Sequence, residues 1–398
     1  MTDTARRRTP IRHLAMSAAA IIAAGGLALF AGTRPGTGAA TDTTGATGGP
    51  AEPTTGVEFS LALTSRPEGE HLDLIAEEII GADRELFGVT TAAHRVEEAL
   101  AFGIQAGKAP NVMMLPVGWA DGEFDAGLLD SVAAAGMVPM IGWEPWDHTV
   151  APATGDGRAD QPEWALGRIV DGTYDALIDE WARGLADWGH PVVLRFAHEM
   201  NGTWYPWAES RNGNAPGEYV AAWHHVHDRF SAAGADNVIW VWSPNITYSG
   251  SVPLEPLYPG DDYVDWVGLS GYWGHFPQTP TYVLAFDDLF GPTIAEIRTF
   301  TALPLLVTET AATEEGGFKS VWITDLLDTI AERDDLIGFV WFEVDKETDW
   351  RIESSPEALE AFRDGVADER YGTADAELWD AALAQVGAGV DVDAADSD

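Results

Sequence analysis

Cysteine is absent from this chain. That removes disulfides, thiolate nucleophiles and thiolate metal sites from the chemistry open to it. Covalent staples are not needed at this size, because 46% of the 398 residues are hydrophobic and can bury a core for one large domain or two ordinary ones. Positive charge is scarce. Lysine and arginine number 22 against 64 aspartates and glutamates, giving a formal net charge of -42. A surface of that sign repels nucleic acid, anionic lipid and acidic polysaccharide, so the expected partners are uncharged or cationic. The excess is compatible with a saline habitat and equally with an ordinary acidic exported protein.

Several chemical signatures are missing as well. Neither G-x-G-x-x-G nor a lysine-containing P-loop follows an early strand, which counts against a nucleotide-binding doubly wound sheet. "HEMN" at 198–201 lacks the second histidine of H-E-x-x-H. His224 and His227 in "HHVHD" stand three apart in a helical stretch and are a weak metal pair. No G-x-S-x-G elbow occurs. No metal and no cofactor are expected. The triplets "NGT" at Asn201 and "NIT" at Asn245 match a glycosylation acceptor, a short pattern that also arises by chance.

At the amino terminus, "ARRRTPIRHL" is followed by an apolar stretch with no charged residue between His13 and Arg34. Residues 1–40 read as a signal peptide with a cleavage site near Ala40, or as a membrane anchor, since the stretch reaches the roughly 20 residues a bilayer needs. The protein is therefore expected to be secreted or extracellular, with membrane association possible through this segment alone. Residues 41–56 read as a flexible linker and 57–84 as an elaboration in front of the main unit.

From there, short apolar runs recur: "ELFGV", "VMMLPVGW", "MVPMIGW", "PVVLRF", "NVIWVW", "VDWVGLS", "LPLLVTE" and "LIGFVWF". Stretches with apolar residues at spacings of three and four lie between most of them, such as "YDALIDEWARGLADW" and "FKSVWITDLLDTIAER". Buried strands alternating with covering helices predict an α/β fold, a closed (β/α)8 TIM barrel over residues 85–365. "SPNITYSGSVPLEPLYPGDDY", after the fifth strand, reads as a long loop without a helix. Residues 366–398 read as an acidic tail with one short helix and a partly disordered end. The protein is expected to be a monomer.

Loops after barrel strands share one face, so ionisable residues there converge. Glu199 lies beyond the fourth strand with Arg195 and His198, and Glu309 ends the seventh. Glu144 follows the third, Tyr272 and Trp273 the sixth, and Trp341 lies in the eighth. Two carboxyl groups across a cleft lined by aromatic rings suit cleavage of a glycosidic bond: one protonates the leaving oxygen, the other attacks or stabilises the oxocarbenium-like centre. Tryptophan and tyrosine faces suit sugar rings. Each glutamate could instead be a solvated surface residue, and Trp204, Tyr205 and Trp207 could pack a loop onto the rim.

"RFAHEMNGTWYPW" and "LLVTETA" resemble the fourth- and seventh-strand segments of glycoside hydrolase family 26, whose members include endo-β-1,4-mannanases, lichenase-like β-glucanases and β-1,3-xylanases. The resemblance runs from about Leu86 to Arg363. It implies Glu199 as acid/base and Glu309 as nucleophile of a retaining mechanism, with His198, Arg195 and Tyr272 in support. It further implies Trp341 as a sugar-binding floor and Trp242 and Asn245 in the wall. Trp119, Glu144, Trp204, Tyr205, Trp207 and Trp273 complete the expected substrate-binding set. The expected substrate is a neutral β-linked polysaccharide or oligosaccharide, cut internally: β-1,4-mannan, or alternatively β-1,3-1,4-glucan. A noncatalytic polysaccharide-binding barrel is the reading from another class.

Overall fold

The computed structural model describes residues 78–80, 84–150, 159–274, 282–372 and 376–387. The segments read as signal or anchor and as linker, most of the elaboration at 57–84, and the tail beyond 387 lie outside the described residues. The eight apolar runs are eight parallel strands: β1 (Leu86–Thr91), β2 (Val112–Gly118), β3 (Val138–Glu144), β4 (Val192–Phe196), β5 (Val238–Trp242), β6 (Trp266–Trp273), β7 (Leu305–Ala312) and β8 (Leu336–Glu343). They follow chain order around a closed barrel. β8 closes it on β1, in register from Leu86↔Gly338 to Thr91↔Glu343.

β6 and β7 run further than their apolar runs. Ser270 pairs Glu309 and Tyr272 pairs Ala311, so the polar residues lie on the ladder itself. The Thr310 hydroxyl, which donates to the Gly271 carbonyl at 2.7 Å, helps carry the pairing through these polar positions.

The covering helices are α1 (Val96–Ala106), α2 (Ala126–Ala134), α3 (Leu166–Val170), α4 (Asp175–Trp188), α5 (Glu218–Ala233), α6 (Phe286–Leu289), α7 (Gly291–Ile297), α8 (Lys319–Glu332), α9 (Pro356–Val366) and α10 (Ala376–Gly387). Between β5 and β6 the chain makes two short 3-10 turns, Glu255–Leu257 and Asp261–Tyr263, and no α-helix. Alternation along the strands sorts the side chains into two layers. Trp143 of β3 packs outward on Trp181 of α4 at 5.5 Å and Phe230 of α5 at 5.6 Å. Trp240 of β5 meets Phe230 at 5.2 Å. Arg195, Ser243 and Ser270 turn the other way, Arg195 donating to both serine hydroxyls inside the barrel mouth. Trp143 and Trp240 are thereby spent on the helix interface.

Candidate active site

β4 ends in an unusual turn. Ala197 and Glu199 both have left-handed backbones, φ 44° and 54°, on either side of His198. A side-chain-bearing residue held there costs about 1–3 kcal/mol and persists where its surroundings enforce it. The enforcing bonds are visible: Ala197 N–H donates to the Trp143 carbonyl at 3.1 Å and Glu199 N–H to the Ser243 carbonyl at 2.7 Å. The turn directs the Glu199 carboxyl into the mouth. There Trp204 Nε1 donates to Oε2 at 2.7 Å and Asn245 Nδ2 to Oε1 at 3.2 Å. Asn245 is fixed in turn by Asn201, which accepts its N–H and donates to its carbonyl, each at 2.9 Å.

Glu309 faces a different environment. Arg195 Nη1 donates to its Oε2 at 2.7 Å, and the Tyr272 hydroxyl donates to Oε1. The guanidinium is itself 1% exposed and held by Ser243 and Ser270. Burial, and then the charge of Glu309, push the Glu199 carboxyl above the usual range, against the pull of Arg195 and its hydrogen bonds. One carboxyl is therefore pushed toward its protonated form, while the other is met by a cation and a hydroxyl donor.

Behind this pair lies a buried support. His198 is 2% exposed, and burial with the Arg195 charge holds its pKa well below the ordinary value, so the ring is neutral. Its Nε2 pairs with the Tyr205 hydroxyl at 3.1 Å, and its carbonyl accepts Trp207 Nε1 at 2.6 Å. Tyr205 stacks on Trp207 at 4.3 Å. Glu144 accepts from Trp146 Nε1 at 2.7 Å, and its other oxygen is 4.0 Å from His198 Nε2. Burial pushes the Glu144 carboxyl up to about 8.

Glu199, Glu309, Arg195, His198, Tyr272, Trp204 and Asn245 are thus brought together by direct contacts or through one intermediary. Glu144, Tyr205 and Trp207 are buried behind them, placed to support the site and not to line a cleft. Four expected sugar contacts lie elsewhere. Trp341 is fully buried on the outer side of β8, 5.2 Å from Phe362 of α9 and 6.4 Å from Trp322 of α8. Trp242 packs on Tyr258 and Phe300, and its Nε1 donates to the Leu257 carbonyl. Trp119 lies among Trp143, Phe196, Trp164 and Tyr174. Trp273 is 1% exposed and meets Phe318 at 6.2 Å. In each case the ring lies in the layer between strands and helices. Asn201 and Asn245 are buried with their amides engaged, so neither is a glycosylation acceptor in the folded chain.

Residues 142–303 match the family described as glycosyl hydrolase family 26. The match lies within the barrel and takes in β4, β5 and β6 with the Glu199 turn. Relatives of the chain include Endoglucanase H of Acetivibrio thermocellus, 36% identical over 242 residues, which are 60% of this chain and 25% of that protein. A mannan endo-1,4-beta-mannosidase of Bacillus subtilis is 31% identical over 113 residues, 27% of this chain and 28% of that one. The chain thus spans about a quarter of the length of each of these relatives. In fold, it resembles a family 26 beta-mannanase structure from Bacteroides ovatus with a TM-score of 0.52 and 19% identity, covering 79% of this chain and 98% of that one.

Two aromatic rings at the mouth, Phe342 and Tyr248, and a third, Trp350, buried behind Tyr272, escaped the sequence reading. Phe342 meets Tyr272 edge-on at 5.6 Å, Trp350 meets Tyr272 at 5.1 Å, and Tyr248 stacks on Trp204 at 6.0 Å. Strand alternation was the available signal for Phe342: if Trp341 packs on the helices, its neighbour faces the mouth. Trp350 and Tyr248 sit on loops, and nothing in their local sequence marks which way they point.

Proposed function

We propose that this protein is a retaining, endo-acting glycoside hydrolase of neutral β-linked polysaccharide, with Glu199 as acid/base and Glu309 as nucleophile. The observation that carries this reading is the contrast between two carboxyl groups in one barrel mouth. Glu199 is buried beside an indole and an amide and is pushed toward its protonated form, whereas Glu309 is oriented by Arg195 and Tyr272. In the first step a Glu309 oxygen bonds to the anomeric carbon while the glycosidic bond breaks and the Glu199 proton passes to the leaving oxygen. In the second, Glu199 takes a proton from water, whose oxygen displaces Glu309 from that carbon. Arg195 stays charged throughout and orients Glu309.

Phe342, Tyr272, Trp204 and Tyr248 supply apolar faces around the reacting pair, as a chain of pyranose rings requires. The match to an endoglucanase over 242 residues, against 200 for a beta-1,3-xylanase and 113 for the mannosidase, favours β-glucan as the first substrate, with β-1,3-xylan and β-mannan as the alternatives. Action outside the cytoplasm is part of the proposal and rests on the basic and apolar amino-terminal sequence. Amino-terminal sequencing of the protein recovered from culture medium tests that part.

Incubation with lichenan, glucomannan, mannan and β-1,3-xylan, followed by product-length analysis, tests the activity. Mid-length products from lichenan or mannan are expected. E309A should be inactive. E199Q should lose activity on polysaccharide by about 100-fold or more, yet release one equivalent of an aryl leaving group that needs no proton in a rapid burst, after which slow hydrolysis of the intermediate limits turnover. Folded wild-type protein inactive on all four glycans would reject the hydrolase reading in favour of a binding barrel.

A further inference from the structure

A buried ammonium lies on the far side of β8 from the carboxyl pair. Lys319 opens α8 and is fully buried, where lysine is rarely found unless paired. Its Nζ donates to the Asp349 carbonyl at 3.1 Å, the Arg351 carbonyl at 2.5 Å and Ser354 Oγ at 2.8 Å, which uses every donor an ammonium has. Glu314, Glu343, Asp349 and Glu353 surround it and offset part of the cost of burying the charge.

The two carbonyls belong to the residues on either side of Trp350. That residue is fixed at its own backbone as well: its N–H donates to the Val344 carbonyl at 3.1 Å, and its carbonyl accepts Trp341 Nε1 at 3.2 Å. Next along the chain, Ile352 N–H donates to Glu343 Oε2 at 3.0 Å. The Trp350 ring lies 5.1 Å from the Tyr272 ring, and the Tyr272 hydroxyl donates to Glu309. A continuous chain of contacts therefore runs from the ammonium to the carboxylate.

We propose that Lys319 is a positioning residue: it clamps the carbonyls flanking Trp350, and through Trp350 and Tyr272 it fixes the orientation of Glu309. It reaches neither the cleft nor the reacting atoms. A one-ångström displacement of a reacting group can cost on the order of 100-fold in rate, so a remote clamp of this kind is visible in turnover. The kinetic consequence rests on the hydrolase reading above; the clamp itself does not.

The test uses the full chain as K319M, W350A and the double variant. Hydrogen exchange at the Trp350 and Ile352 amides should accelerate in K319M. Its kcat should fall on the order of tenfold to 100-fold with KM little changed, and the double variant should be no slower than W350A. A lysine that merely holds the fold together would lower Tm and leave the kcat of folded protein intact. Unchanged exchange at those amides, unchanged kcat, or losses that multiply in the double variant would each overturn the proposal. If K319M does not fold, S354A removes one of the three acceptors and enters the same cycle. If the wild type hydrolyses no glycan, the hydrolase reading fails and the exchange measurement still decides the clamp.

Discussion

Glu144 shows how a single residue can set a pH dependence without touching substrate. Its carboxyl is pushed up to about 8 by burial, against an ordinary value of 4.5. Between those values the unfolded chain has released a proton that the folded one retains, so the residue's contribution falls as pH rises. E144Q keeps an oxygen to accept from Trp146 and has no proton to lose. Its melting temperature should vary less with pH from about 4.5 to 8 than that of the wild type, whose stability slope from this group approaches ~1.4 kcal/mol per pH unit. Thermal melts across that range check it; parallel profiles would show that Glu144 does not titrate there. Trp341 yields a second residue-scale expectation. Since its ring packs on Phe362 and Trp322, W341A should cost about 3–5 kcal/mol of stability and leave KM nearly unchanged. A large rise in KM with an unchanged denaturation midpoint would return the ring to the cleft.

At the scale of the element, the seam between β1 and β8 depends on one glycine. Gly338 has φ 135°, and a Cβ added there would lie 2.0 Å from the Leu86 carbonyl oxygen. No L side chain is comfortable in that conformation, and the backbone atom it would strike is fixed by strand pairing. G338A should destabilise the barrel by about 1–3 kcal/mol from backbone strain alone, with the clash adding to it. A urea titration measures the loss, and a midpoint within error of the wild type would show that the seam has room to move. Strand positions were readable because eight apolar runs alternate with helical patterns. The extent of β6 and β7 was not, since Gly271, Tyr272 and Trp273 pair with Thr310, Ala311 and Ala312 beyond the ends of those runs, by virtue of partners distant in sequence.

For the molecule as a whole, the net charge of -42 is the governing quantity. Like charges repel most in the compact state, and the Debye length falls from about 10 Å at 0.1 M salt to about 3 Å at 1 M. Ion pairs such as Arg229 with Asp175 and Asp179 are partly exposed and lose little when screened. Raising sodium chloride from 0.1 M to 1 M should therefore raise Tm. A Tm that falls over that interval would mean that attractive pairs outweigh the self-repulsion.

The sequence by itself determined the number and order of strands, the helices that cover them, and the two glutamates after β4 and β7, because apolar periodicity and strand ends are local properties. It also placed Arg195, His198 and Tyr272 near those glutamates through the segments that carry them. Only the tertiary structure decided which rings face the mouth. Trp341 and Phe342 are adjacent in the chain, and their separation into core and cleft follows from strand alternation in β8 once the helices have chosen a side. Trp119, Trp242 and Trp273 went to the helix layer for the same reason: large apolar rings bury most area between strands and helices. The clamp of Lys319 on the carbonyls around Trp350 joins positions some 30 residues apart, and backbone carbonyls leave no mark in a sequence.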